Sequence, residues 1–362
     1  HDQWAREIAG GEWAGSQVFF RAPLYPYFLG LIYRIFGQSY IAPRIIQFLL
    51  GSLSPIILYL LAAKLFHKKI ALMASVIAAA YGMFIYFEGE LLIPVLLVPL
   101  DLALIWLLLR AEEKPSHARW LLAGAILGLS ALARPNILVF IPFVLFWAYL
   151  KLRERRRVLL FGLSFLAGLG LTVFPVTLRN YVVGRDFVLI AYQGGVNFYL
   201  GNNPEADGKT ALMPKGEDPK EQVALWEKDL GRDIKPSLES RLWYLKGLRF
   251  ARENPGTYLK LLLKKCVLFW NGYEIRNNQD IYFVRRYSPL FALLVFRADT
   301  LPPFGLSFPF GIVAPLALTG LLLSLREWRR LFLLWLFIAS YSISIVLFFV
   351  CARYRVPILP FL

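Results

Sequence analysis

Cysteine is scarce in this chain, with two in 362 residues, and histidine is little commoner, with three. The separation of Cys266 and Cys351 fits no redox or zinc-ligand motif, and two cysteines do not support a disulfide framework. Charge is thin too: Asp, Glu, Lys and Arg make up 18% of the chain, against about 25% in average soluble domains. No tract rich in Gln/Asn, Pro or Gly/Ser marks disorder, and no short repeat marks a solenoid. Neither GxGxxG nor GxxxxGK[ST] occurs at the Gly-rich stretch Tyr192–Gly208, which excludes a nucleotide cradle there.

What is abundant is apolar surface in long runs. Hydrophobic residues make up 58% of the chain, and the runs approach the ~20 residues that cross a bilayer. The sequence therefore predicts an all-α polytopic membrane protein. Spans are expected at about Ile41–Ala63, Ile70–Phe87, Leu91–Leu109, Trp120–Ala133, Ile137–Leu150, Val158–Leu178, Phe308–Leu325 and Leu331–Val350. Residues 1–178 form an N-terminal membrane region with an interfacial first loop, 179–303 a mixed, mainly helical loop domain, and 304–362 the last spans. Within the loop domain, Pro236–Glu253 and Gly256–Trp270 carry helical periodicity.

A net charge of +16 suits a nucleic-acid binder only with a matching motif, and none is present, so no nucleic-acid partner is expected. The basic residues instead cluster between spans. Lys64, Lys68 and Lys69, then Arg110, Lys114 and Arg119, then the cluster at 151–157, then Arg326, Arg329 and Arg330 fall in alternate turns. That side is cytoplasmic by the positive-inside rule. Glu88, Glu90, Arg134, the loop domain, Arg353 and Arg355 fall on the other side. Carboxylates, arginines and a soluble segment at one membrane edge suit a substrate held half in lipid, such as a polyprenyl-phosphate sugar. Membrane lipids are the other expected partner.

The turn ALARPN, Ala131–Asn136, sits between two apolar runs. Pro135 disfavours helix at Arg134, and a charge there must face water, a partner or the interface. Arg134 is either a snorkelling residue or a ligand for a phosphate, whose oxygens its planar fork matches. Arg353, Tyr354 and Arg355 are either a charged rim or a lipid-phosphate clamp. Glu90 and Glu88 are either interfacial acids or a second acid near acceptor or donor, orienting the nucleophile or helping a divalent ion, with Glu90 preferred because it is closer to the next span. Asn197, Asn202, Glu274 and Asn278 are weak candidates for sugar or acceptor contacts; turn and loop roles compete. Asp101 lies within a span, toward its cytoplasmic half, and is assigned no catalytic role.

Five stretches occur in an order that resembles a known group. They are RAPLYPYFLGLIYRIFG (Arg21–Gly37), ALARPN, RNYVVGRDFVLIAYQGGVNFYLGNNPEADG (Arg179–Gly208), NGYEIRNNQD (Asn271–Asp280) and RYRVPILP (Arg353–Pro360). Together they resemble bacterial membrane glycosyltransferases of the protein O-mannosyltransferase-like kind, in the C-type (GT-C) superfamily; aminoarabinose transferases of lipid A are more distant. The resemblance implies a GT-C-like fold in the bacterial inner membrane and a polyprenyl-phosphate-linked sugar as donor. It also implies transfer at the extracytoplasmic face to an acceptor hydroxyl or amine of a lipid, glycan or protein. No nucleotide cofactor is implied; a divalent cation is possible, with no metal ligands assigned. It places the main first-loop carboxylate just upstream of His1, with Asp2 the nearest acid and offset. The start at His1 without Met and the apolar run just beginning at Arg355–Leu362 lead to the expectation that both termini are cuts through a longer protein. A lipid-linked sugar flippase and a non-catalytic envelope assembly protein are the alternatives.

Overall fold

A computed structural model describes residues 1–211, 213–276, 280–297 and 307–362. Two short helices come first, α1 (Asp2–Ala9) and α2 (Leu24–Phe36). They pack by Ala5, Tyr25, Leu29 and Tyr33 into a small core that Val95 completes. The membrane region continues as α3 (Ile41–Gly51), α4 (Leu53–Leu65), α5 (Lys68–Ala79), α6 (Gly82–Gly89), α7 (Pro94–Glu113), α8 (His117–Ala133), α9 (Ile141–Leu152) and α10 (Arg155–Gly184). Helices α3 and α4 run on as one span, Ile41–Leu65, and α9 gains a 3-10 start to span Pro135–Leu152. The expected span at 70–87 is instead a broken pair, α5 and α6, bent by 47°. Helix α8, at 17 residues, is short for a span, and α10 runs past the expected boundary at 178.

The loop domain holds α11 (Gly194–Gly201), α12 (Pro219–Leu230), α13 (Pro236–Glu253), α14 (Pro255–Trp270) and α15 (Pro289–Leu294). The described residues contain two strands, Phe296–Arg297 and Ser307–Phe308, paired antiparallel. The chain then returns through α16 (Phe310–Ser324) and α17 (Trp328–Val346), and ends with α18 (Ala352–Arg355) and a 3-10 turn, Val356–Phe361.

Five helical runs are long and apolar enough to cross a membrane, and a sixth if the bent pair is one span. This is a multi-pass, almost wholly helical membrane protein. The last run, Phe310–Val346, has 37 residues. Were it straight it would be about 55 Å long. Phe310 nevertheless packs on Arg355, its ring centre 4.1 Å from the guanidinium carbon, and Arg355 is only nine residues past Val346. That reach is shorter than about 40 Å, so the run turns at the 3-10 segment Leu325–Glu327, beside Arg326 and Arg329.

The tightest packing is between α8 and α10, and glycine makes it possible. A β-carbon on Gly168 would lie 1.9 Å from the carbonyl oxygen of Leu121, and one on Gly124 1.8 Å from that of Phe165. In lipid, where apolar association gains little from water release, such close backbone approach is what holds helices together. Aliphatic side chains on the opposite faces, such as Ile45, Leu49, Ile70 and Leu171, stay exposed, as lipid-facing groups do. At one end of the bundle Lys64 pairs with Glu113 and Lys151 with Glu112, so the basic turns expected on one side do gather there. Arg134, Asn136 and Ser344 lie at the other end, with Asn136 Nδ2 donating to Ser344 Oγ at 2.8 Å.

Candidate active site

Arg134 ends α8 in extended geometry, as Pro135 requires. Its guanidinium lies 3.6 Å from the ring centre of Tyr354. Arg353 reaches the same ring at 5.1 Å and donates from Nη2 to the Tyr354 hydroxyl at 3.2 Å. Two half-buried cations from distant parts of the chain thus flank one phenol. Such like charges repel in a dry site, and an anion between them would relieve that. Behind Arg134 stands Asp101, fully buried, accepting from Ser130 Oγ at 2.6 Å. It lies one turn below Arg134, in the outer half of α7 rather than the cytoplasmic half expected, because α7 starts only at Pro94.

Arg355 faces inward instead. It is 1% exposed, and its Nη2 donates to Glu274 Oε2 at 2.7 Å, Glu274 being 3% exposed. The same guanidinium donates to the carbonyls of Phe269, Asn271 and Tyr273. Glu274 and Arg355 therefore occupy each other, and together they tie the end of α14 to α18.

Glu88 enters a small apolar hollow between α3, α6 and α7, which it shares with Phe84, Val95 and Val356. Gly51 makes room for it: a β-carbon there would stand 2.1 Å from the Glu88 carboxyl carbon. Among the described residues the Glu88 carboxylate has no hydrogen-bond or ion-pair partner. Val356 is one helical turn beyond Arg353, so this hollow adjoins the two-arginine cluster, although neither Arg134 nor Arg353 lines it. Glu90 is placed differently. Its backbone carbonyl, with that of Glu88, accepts from Gln47 Nε2. Burial raises its carboxyl above the usual range, against the pull of Arg44.

Asp2 accepts from the Tyr33 hydroxyl at 2.7 Å and pairs with Arg6 at 2.9 Å. Burial raises its carboxyl, but these bonds and one from Tyr40 outweigh that and lower it. Asn197 lies half-buried on α11. Asn202 is buried, donating to the Phe198 and Leu347 carbonyls and accepting from Lys265 Nζ at 2.9 Å. Asn278 lies outside the described residues. Among those described, no group of three His, Cys, Asp or Glu side chains could hold a metal ion.

Sequence reasoning passed over Lys265, which is 0% exposed on α14. Burial depresses its ammonium to about 7. The clue was present in KLLLKKCVLFW, where one of three lysines must turn inward on an amphipathic helix. It also passed over Arg179 and Asn180, which hold the first loop to the end of α10. Asn180 Oδ1 accepts from Phe19 N, while Arg179 donates to the Ala14 carbonyl at 2.6 Å and lies over the Phe19 ring.

Residues 21–178 match the family model of dolichyl-phosphate-mannose-protein mannosyltransferases. This stretch is similar to the mannosyltransferase domain of that family. No curated protein and no solved structure matches the chain. The match ends before the loop domain, so it takes in Glu88, Glu90 and Arg134 but not Arg353–Arg355.

Proposed function

We propose that the protein transfers a sugar, mannose by its family, from a polyprenyl-phosphate donor to an acceptor hydroxyl at the extracytoplasmic face of a bacterial inner membrane. The observation that carries this is the convergence of Arg134 and Arg353 on Tyr354. In this reading the donor phosphate sits against both guanidiniums, and Tyr354 keeps them apart and oriented. The acceptor oxygen attacks the anomeric carbon from the face opposite the phosphate. The new carbon–oxygen bond forms as the bond to the phosphate oxygen breaks, and the lipid phosphate leaves with the electron pair. Fixed cations at the leaving oxygen stabilise that charge. The acceptor proton passes to a carboxylate.

Glu88 fits that last role better than Glu90, reversing the order expected from sequence. Its carboxylate is unpartnered and set in an apolar hollow beside the arginine cluster, whereas Glu90 stands by Arg44. Arg355 and Glu274 act on the site indirectly, by fixing the segment that carries Arg353 and Tyr354. Asn202 has a similar positioning part. Among the described residues, Asn197 is the one weak sugar candidate whose side chain is not already engaged.

The test is release of radiolabelled mannose from a polyprenyl-phosphate donor by the protein in lipid nanodiscs. Glu88→Gln is expected to lower turnover by about 10²-fold or more, and Glu90→Gln by far less. The product should be inverted at the anomeric carbon by NMR. Retention of configuration would overturn the single displacement. Movement of donor across the bilayer with no free polyprenyl phosphate formed would overturn the transferase reading.

A further inference from the structure

Helix α14, Pro255–Trp270, is oriented against the ordinary rule for a helix in water. Its protein-facing side carries a lysine, Lys265, wholly buried and bonded to Asn202. Its outward side carries aliphatic residues: Leu259, Leu263 and Val267 are 58%, 59% and 65% exposed. Their spacing of four puts them in one row along the helix. Lys260 and Lys264, both exposed, flank that row one position on. An aliphatic row edged by lysines is the pattern of a helix lying in the boundary between headgroups and acyl chains, where lysine stems run along the apolar surface and the ammonium reaches the phosphates.

Two further observations select the bilayer as the occupant. Helix α14 packs directly against α17, a membrane-crossing helix, so its outer side continues the lipid-facing surface. Its end is also fastened at the membrane rim: Arg355 binds the carbonyls of Phe269 and Asn271. A soluble partner would have to reach that row across the membrane surface itself.

We infer that α14 rests in the outer leaflet of the membrane, its Leu259–Leu263–Val267 row among the acyl chains and Lys260 and Lys264 on anionic phospholipid headgroups. The loop domain is thereby held down on the bilayer at the edge of the arginine cluster, where a lipid-borne substrate would arrive.

Cys266 lies exposed on this same side, whereas Cys351 is buried, so the full chain carries its own reporter. The protein is reconstituted in nanodiscs and labelled at Cys266 with an environment-sensitive fluorophore. Quenching by lipids bearing a shallow nitroxide is compared with quenching by a water-soluble nickel chelate. Strong lipid quenching, a blue-shifted emission and loss of aqueous quenching are expected. Full access to the aqueous quencher would overturn the inference. Shielding from both quenchers would overturn it too, since protein would then cover the row. Lys260→Gln with Lys264→Gln should reduce lipid quenching in discs containing phosphatidylglycerol and leave it unchanged in purely zwitterionic discs. An equal change in both would remove the headgroup part of the claim. Leu263→Glu should restore aqueous access.

Discussion

Replacing Arg355 by Met tests whether this arginine holds the structure or holds the substrate. In the native protein its guanidinium makes four hydrogen bonds, to Phe269 O at 3.3 Å, Asn271 O at 2.5 Å, Tyr273 O at 2.8 Å and Glu274 Oε2 at 2.7 Å. Both members of the ion pair are almost wholly buried. Removing one partner of such a pair costs about 3–5 kcal/mol, chiefly from the charge left behind. Three carbonyls losing a donor add roughly 1 kcal/mol each at most. The sum is a large share of the ~5–15 kcal/mol that holds a typical native fold. The thermal midpoint of Arg355→Met, followed by tryptophan fluorescence in nanodiscs, should fall by several degrees. Glu274→Gln keeps an acceptor but leaves the guanidinium buried without its counter-charge, so it too should lose about 3 kcal/mol. The double variant Arg355→Met with Glu274→Leu removes both charges, and should recover much of the loss, giving a coupling of about 2–3 kcal/mol. A midpoint unchanged in Arg355→Met, with a raised donor KM, would refute the reasoning and return Arg355 to the phosphate. So would a double variant as unstable as the two single losses added together.

Three other outcomes follow from the geometry. Arg134→Lys keeps the charge but loses the flat face set over Tyr354, so kcat/KM for the donor should drop about tenfold, and further in Arg134→Ala. Gly168→Ala puts a methyl group 1.9 Å from the Leu121 carbonyl; forcing α8 and α10 apart should cost about 1–3 kcal/mol, read as a lower thermal midpoint. Lys265 is held neutral above about 7 in the fold, against an ordinary value of 10.5. Between those two values the unfolded chain binds the extra proton, so stability should rise with pH, by about 2–3 kcal/mol from pH 7 to 9. Lys265→Met should flatten that slope in a pH series of denaturation midpoints.

The bundle was readable in the sequence because lipid imposes strict rules. Apolar length marks a crossing, and Lys and Arg mark the side, so Lys64, Lys151 and Arg134 each appear at the end of the bundle expected. Arg134 and Arg353 were readable as candidates because charge at a membrane edge is uncommon. What the sequence could not show is which charges spend themselves on each other. Arg355 and Glu274 are 81 positions apart, and nothing local distinguishes Arg355 from Arg353, two residues away and turned to the other side. Preference for Glu90 over Glu88 rested on distance to the next span. The feature on which the proposal for Glu88 rests, a side-chain-sized gap at Gly51, comes from a different helix. The Gly-rich run Tyr192–Gly208 reads as tight turns, yet Gly194–Gly201 is helix α11, because its glycines serve packing rather than turning. Gly195 and Gly201 let α11 lie against the backbone at Ser240 and Phe348, with no room for a β-carbon at either contact.

The bonds from Asn202 to Leu347, from Val350 N to the Gly208 carbonyl, and from Arg355 to the end of α14 all cross between the loop domain and the last membrane segment. Three bonds at separate points fasten those two pieces together. If the protein works as proposed, the opening that admits a lipid tail is then sought on the other side of the site, where the chain bends by 47° between α5 and α6, ahead of Glu88. On that proposal, breathing at the break would carry the Glu88 carboxylate toward and away from the arginines, and would couple donor entry to proton transfer.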